Sequence, residues 1–151
     1  MGVTVDTKEL AAFREKLKTL SSVQAPIFFD QAVKEMANSL LGLVIPRTPV
    51  GNYTGGGTLR LGWTNLQSAG FNVQRGVGSY TITLTNPTYY ASYVEYGHRQ
   101  TPGRYVPAIG KRLVKSWVEG QYFLKISEEE LQGIAPQILQ TLLDNFLRTV
   151  I

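Results

Sequence analysis

The chain has 151 residues, 15 basic and 11 acidic side chains, one histidine and no cysteine, for a net charge of +4. That length suits a single domain over residues 1–151 with a core of its own. The missing cysteine excludes disulfides, thiolate metal ligands and cysteine nucleophiles. Residues 1–6 have neither the charged start nor the apolar stretch of a signal peptide. No apolar run approaches the roughly 20 residues that span a bilayer. The expectation is a protein with no membrane partner, kept in the cytoplasm until it is assembled. From residue 36 to residue 94 there is no Asp or Glu and there are only three arginines, a poor endowment for acid–base chemistry.

In chain order, Asp6 and Glu9 have the spacing of a capping box and predict a helix start. Leu10, Phe13, Leu17 and Leu20 mark one face of that helix, and Ser21-Ser22 interrupts it. A second helix is predicted from near Pro26, a residue suited to a first turn. It runs along Ile27, Phe28, Ala32, Val33, Met36, Leu40, Leu41 and Val44, and Pro46 and Pro49 end it. Residues 47–57, with Gly55-Gly56-Gly57, favour no regular structure. They predict a long loop that becomes ordered against a neighbouring subunit.

The period then changes. Phe71-Asn72-Val73 and residues 80–84 alternate as half-buried strands do, with Gly76-Val77-Gly78 as the hairpin turn and Asn86-Pro87 as the stop. Residues 89–97 predict a short helix ending at Gly97, with a strand as the alternative. Residues 99–104 form a basic, turn-rich loop. A helix is predicted from about Pro107 to Val118, buried on Leu113, Val114 and Trp117, followed by a weakly alternating strand over residues 121–126. Ser127-Glu128-Glu129-Glu130 is a capping box. It opens an amphipathic helix on Leu131, Ile134, Ile138, Leu139, Leu142, Leu143, Phe146 and Leu147, which Pro136 is expected to kink or split. The fold class is α+β: N-terminal helices and a C-terminal helix packed on a small, mainly antiparallel β-sheet.

The chemistry-bearing residues are few. His98 and Glu95 have a spacing that a helix turns to one face, but one histidine and one carboxylate make a thin ligand set, so neither a metal nor a cofactor is expected. No Gly-x-Ser-x-Gly elbow presents a serine nucleophile. The glycine run lacks the Gly-Lys-Ser/Thr of a phosphate loop. The chain therefore reads as no enzyme. Arg99 and Arg104, flanked by Tyr96 and Tyr105, suit a nucleic-acid strip or a protein interface, where tyrosine and arginine are favoured anchors. The tyrosine cluster between residues 89 and 105 tilts the choice towards the interface.

Three stretches in order complete the reading. Arg47-Thr48-Pro49-Val50 is followed by Leu59-Arg60 and Trp63; Asn86 is followed by residues 90–98, Tyr-Ala-Ser-Tyr-Val-Glu-Tyr-Gly-His; Pro107-Ala108 follows a loop containing proline and glycine. Together, over residues 32–118, they resemble the gene-ten tail-component family of the Hong Kong 97 phage type, also called neck or tail-completion proteins. Here residues 51–58 are longer than the family's turn at that place and lack its aspartate.

The resemblance implies a structural virion protein. It would form a ring, commonly hexameric, at the head-proximal end of a phage or phage-like tail, closing the tail tube or joining it to the head connector. Its implied partners are further copies of itself, the tail tube protein and head–tail connector proteins, with DNA only as cargo through the channel. Its implied place is the virion, in the tail or neck, after assembly in the bacterial host cytoplasm. The family brings no catalytic residues. The interface candidates are Arg47, Thr48, Pro49, Val50, Gly55, Gly56, Gly57, Arg60, Glu95, His98, Arg99 and Arg104, with Glu95 and Arg60 a candidate ion pair within or between subunits. Two readings from other classes compete. A small basic DNA-binding protein of phage origin would show salt-dependent affinity for duplex DNA, and a hydrolase would depend on His98.

Overall fold

The computed structural model describes residues 1–6, 22–51 and 56–150. The helix expected on Leu10, Phe13, Leu17 and Leu20 lies outside these residues, as does Gly55. In chain order the elements are β1 (Gly2–Asp6), α1 (Gln24–Arg47), α2 (Thr58–Ala69), β2 (Gln74–Gly76) and β3 (Ser79–Thr85). They continue with α3 (Ala91–Tyr96), β4 (Gly97–Arg99), β5 (Tyr105–Val106), β6 (Lys111–Arg112), β7 (Trp117–Glu119) and α4 (Phe123–Val150). The α+β class stands.

Helix α1 is the core's axis. Phe28, Ala32, Val33, Met36, Ala37, Leu40, Leu41 and Val44 recur every three to four residues and are all buried, as one face of a 3.6-residue helix requires. Against it lies α4, which buries Phe123, Leu124, Leu131, Ala135, Leu139, Leu143 and Phe146; the rings of Phe28 and Phe146 meet at 5.5 Å between centroids. Helix α2 crosses α1 and buries Leu59 and Trp63. The three-stranded antiparallel sheet has the order β1-β3-β2, and its central strand turns Ile82 and Leu84 into the core. The β2–β3 hairpin closes at Gly76 opposite Ser79 around Val77-Gly78. Gly78 supplies the positive φ of 69° that such a two-residue turn needs.

Several sequence expectations need correction. Residues 2–6 form the edge strand β1, paired from Gly2 opposite Thr85 to Asp6 opposite Thr81. Residues 58–69, for which no element was expected, are helix α2. The strand expected at residues 71–73 forms three residues later, at Gln74–Gly76. Pro46 does not end α1, which runs one residue further to Arg47. Residues 107–118 are not helical. They are the tip and return strand of a β-ribbon, in which Val114 is 86% and Trp117 43% exposed. Residues 121–126 are no strand, because α4 already begins at Phe123. Ser127 is consequently inside that helix, and its hydroxyl donates back to the Phe123 carbonyl at 2.6 Å. Pro136 does not split α4.

Leu143 is almost fully buried where α4 meets α1. Leu143→Ala is expected to lower the unfolding free energy by about 2–5 kcal/mol, from lost apolar burial and the cavity left behind. A urea unfolding curve checks this, with the midpoint falling and the slope unchanged.

Candidate functional site

Several of the residues singled out in the sequence meet in a polar joint formed by five chain segments. At the end of α1, the Thr48 amide donates to the Val44 carbonyl at 2.9 Å and its hydroxyl to the same oxygen at 2.7 Å. Arg60, from α2, donates from Nη2 and Nε to the Thr48 carbonyl at 2.7 and 3.2 Å, and from Nη2 to Pro46 at 3.3 Å. A cation on the last carbonyls of a helix satisfies acceptors that lack intrahelical partners and opposes the negative end of the helix dipole. Arg47 reaches α4 instead, bonding Glu130 and donating to the Ser127 hydroxyl at 3.3 Å.

Asn86 closes the next corner. It is buried, donates from Nδ2 to the Leu59 carbonyl at 2.8 Å and accepts the Thr88 amide at 3.0 Å. Gly62 lies against its amide so closely that a Cβ there would stand 2.5 Å from Asn86 Oδ1.

Glu95 is the joint's least expected member. Only 1% of it is exposed, yet among the described residues no Arg or Lys pairs with it. Its two oxygens accept the backbone amides of Leu124 and Lys125, each at 2.9 Å. These are two of the four orphan donors at the start of α4, so a carboxylate 29 residues upstream caps the helix. Charge and helix dipole favour that placement together. Arg60 and Glu95 therefore do not pair within the chain; each serves a different helix terminus.

Immediately beyond Glu95 the chain leaves the body. Residues 97–106 run out and residues 111–119 return as one two-stranded ribbon, hereafter the arm. Gly97 pairs with Glu119, Arg99 with Trp117, Tyr105 with Arg112 and Val106 with Lys111. Main-chain bonds from Gln100 to Ser116 at 3.0 Å and from Gly103 to Leu113 at 2.7 Å connect the two pairings. Two glycines let the strands cross at the root. A Cβ on Gly97 would sit 2.5 Å from the Val118 carbonyl, and one on Gly120 2.3 Å from the Glu95 carbonyl. The amides of Gln121 and Tyr122 then bond the carbonyls of Val94 and Glu95 at 2.8 and 3.1 Å, which fastens the root to α3.

The arm has no core. No residue from 99 to 122 is buried, and Tyr105, Ile109, Val114 and Trp117 expose large apolar surfaces. It also holds Arg99, Arg104, Lys111, Arg112 and Lys115 against Glu119 alone, while the rest of the chain balances ten basic residues with ten acidic ones. The whole net charge thus resides on the arm. Sequence reasoning found Arg99 and Arg104 but missed the other three cations, because it wrapped them into a helix. Gly103, Gly110 and Gly120 were the available signal: Gly103 and Gly110 take positive φ values of 84° and 66°.

The remaining candidates are spread around the joint. Pro49, Val50 and Gly57 line a cavity of about 220 Å³ with Leu59, Tyr90 and Val94; Val50 is exposed and Gly56 open to solvent. His98 is half-buried at the arm's root with its ring 5.8 Å from that of Tyr93, and its Nδ1 atom is buried without a hydrogen-bond partner. Among the described residues no three His, Asp or Glu side chains stand together as metal ligands would. None of the described helices is long and apolar enough to cross a membrane.

The joint thus carries a charged ribbon in which no residue from 99 to 122 is buried. A family model described as "Bacteriophage HK97-gp10, putative tail-component" matches residues 11–97, more than half of the chain. The chain belongs to this family of bacteriophage tail components. The match ends at Gly97, the residue with which the arm begins. No curated protein and no solved structure matches the chain.

Two outcomes follow from the joint. Glu95→Ala leaves one buried and one part-buried amide without acceptors and should cost about 3 kcal/mol of stability, whereas Glu95→Gln, which keeps one acceptor oxygen, should cost clearly less. Thermal unfolding of both variants checks the order. Glu128 has its carboxyl raised above the ordinary 4.5, chiefly by burial and then by the charges of Glu95 and Glu129. A carboxyl raised on folding makes the native state bind protons more tightly, so its charged form opposes folding above that range, and the cost disappears as pH falls below 4.5. Glu128→Gln should accordingly stabilise the protein at pH 7 and make no difference near pH 4, in paired urea titrations.

Proposed function

We propose that this chain is a non-catalytic building block of the ring at the head-proximal end of a phage or phage-like tail, closing the tail tube and/or joining it to the head connector. The proposed partners are further copies of the chain, in a hexamer or a similar ring, together with the tail tube protein and connector proteins. DNA passes through the channel as cargo. The proposed place is the tail or neck of the virion, after assembly in the host cytoplasm.

The arm is the observation that carries this reading beyond family membership. An isolated two-stranded ribbon is marginal in water, and this one exposes aromatic and aliphatic surface together with both of its backbone edges. Such edges are ordinarily covered, charged or paired with another chain. The joint supports the same reading, because its polar groups are spent on helix termini, where they hold geometry and leave little for acid–base work.

Electron microscopy of particles from an induced lysate lacking this one gene tests the role. The expected result is DNA-filled heads beside separate tails. Tails of normal length indicate a joining function and overlong tails a terminating one. Normal, fully joined particles would remove the ring reading.

One observation favours a second reading, a small basic DNA-binding protein. A two-stranded ribbon fits the major groove, and this one carries five cations. If all five met phosphates, affinity for duplex DNA would fall roughly 500-fold between 50 and 200 mM salt. Under the ring reading the free subunit shows no such salt-dependent binding, so a filter-binding series at those two salt concentrations separates the two.

A further inference from the structure

We propose that the arm of one subunit docks on the root of the arm and the start of α4 in a second copy of the same chain, tip onto root. The inference deepens the ring reading and rests on it for its biological setting.

The two surfaces complement one another in charge. The arm's cations have no carboxylate partner among the described residues. On α4 the half-buried Glu128 and the exposed Glu129, hereafter the ridge, stand near enough to the buried Glu95 for the charges of Glu95 and Glu129 to be felt at Glu128, and Glu119 on β7 is exposed. Among these glutamates Arg47 pairs with Glu130, and Lys125 lies over the Tyr122 ring at 5.8 Å. Burial first, and then the charges of Glu95 and Glu129, hold the Glu128 carboxyl above its ordinary range. A cationic partner would offset those charges.

The apolar surfaces match as well. Tyr105, Ile109 and Val114 are exposed towards the tip; Tyr96, Tyr122 and Ile126 are exposed at the root, with the Tyr96 and Tyr122 rings meeting edge-on at 6.5 Å. Phosphate recognition has no use for so much aliphatic and aromatic surface, whereas the centre of a protein interface does. That tilts the arm towards protein and away from nucleic acid.

Reach decides between its own root and a neighbour's. Residues 97–106 include a turn in which the Arg104 amide bonds the Thr101 carbonyl, so their extended parts, at about 3.3 Å per residue, carry the tip roughly 20 Å from the root. The glycine-locked crossing and the capped start of α4 fix the direction in which it leaves. The tip therefore meets the ridge of another copy. A tip-to-root contact uses two different patches, and such a heterologous contact closes into a ring when the rotation between copies allows.

Charge exchange tests the docking in purified full-length protein. One variant reverses the arm (R104E/K111E/K115E), another reverses the ridge (E128K/E129K), and a third carries both sets. All five positions are exposed or half-buried, and circular dichroism verifies that each variant folds. Sedimentation velocity should find self-association of the unaltered chain weakened at least roughly tenfold by either single set. It should be restored in the third variant and also when the two reversed proteins are mixed, which can then alternate. An unaltered chain that remains monomeric, or a third variant that fails to recover, would overturn the proposal. So would an arm reversal that abolishes retention of duplex DNA while leaving self-association intact, which would assign the arm to nucleic acid. Self-association is read in solution and tail joining in particles, so the two readings fail separately. Normal particles together with recovery by charge exchange would remove the tail role and keep the docking.

Discussion

The carboxylate of Glu95 across the first turn of α4 is the contact on which the rest of this molecule depends. It lies where the direction of the arm, the start of the longest helix and the end of α3 are all decided. A charge buried without a cation is expensive, and here two backbone amides and the positive end of a 28-residue helix offset that expense. Neither side of the contact is comfortable alone. Tyr122, the residue before α4, has no side chain suited to capping and stands at a positive φ of 48°; Glu95 at the end of α3 faces away from water. Each makes the other's position tolerable.

From that contact the geometry propagates in both directions. Inward, Phe123 and Leu124 enter the core directly after the cap, so α4 is packed against α1 from its first turn. Outward, Gly97 and Gly120 permit main chains to approach more closely than any side chain would allow, which converts the end of α3 into the root of the ribbon. The same economy governs the other corners. Arg60 and Thr48 finish α1, and Asn86 ties the end of the sheet to the start of α2. Residues that look like an interface signature in the sequence thus act, within the subunit, as fasteners of helix ends. The family match runs through residues 11–97 and so covers the described fasteners at Thr48, Arg60, Asn86 and Glu95.

Legibility in the sequence followed the range of the forces involved. The stripe on α1 was plain because apolar burial at a spacing of three to four residues is a local pattern, and all of it but the 49%-exposed Ile27 is buried. The β2–β3 turn and the glycine ending α3 were legible for a similar reason, since positive φ selects glycine where it occurs. The start of α4 was misplaced by four residues because its cap lies 29 residues away, and Ser127 with its glutamates imitates a local cap. The arm was misread because Leu113, Val114 and Trp117 have helical spacing. The main chains of Leu113 and Trp117 instead pair across with residues 103–104 and Arg99, and no helical window contains those partners. Helix α2 stayed hidden behind the glycine run, although Leu59, Gly62 and Trp63 form its buried stripe; a glycine on that stripe reads as a loop until Asn86 is seen filling the space a Cβ would take. Arg60 and Glu95 invited pairing as opposite charges, but helix termini offered each a better partner.

The placement of charge completes the physical argument. A body with ten cations and ten anions needs no net charge to fold, and the excess of four positive charges stands on a segment that contributes no buried residue. Charges concentrated on a coreless ribbon repel one another and do nothing for the subunit's own stability; they do keep the ribbon's free edges from pairing indiscriminately. The same charges favour a partner that presents carboxylates in the right arrangement, since complementarity of this kind selects partners and speeds encounter more than it adds raw affinity. An arm that is solvated by its cations when alone, and whose apolar side chains become useful only when those cations are matched, separates two requirements that usually conflict. In the proposed docking, the cations keep the free arm hydrated while its apolar surface awaits the partner that matches them.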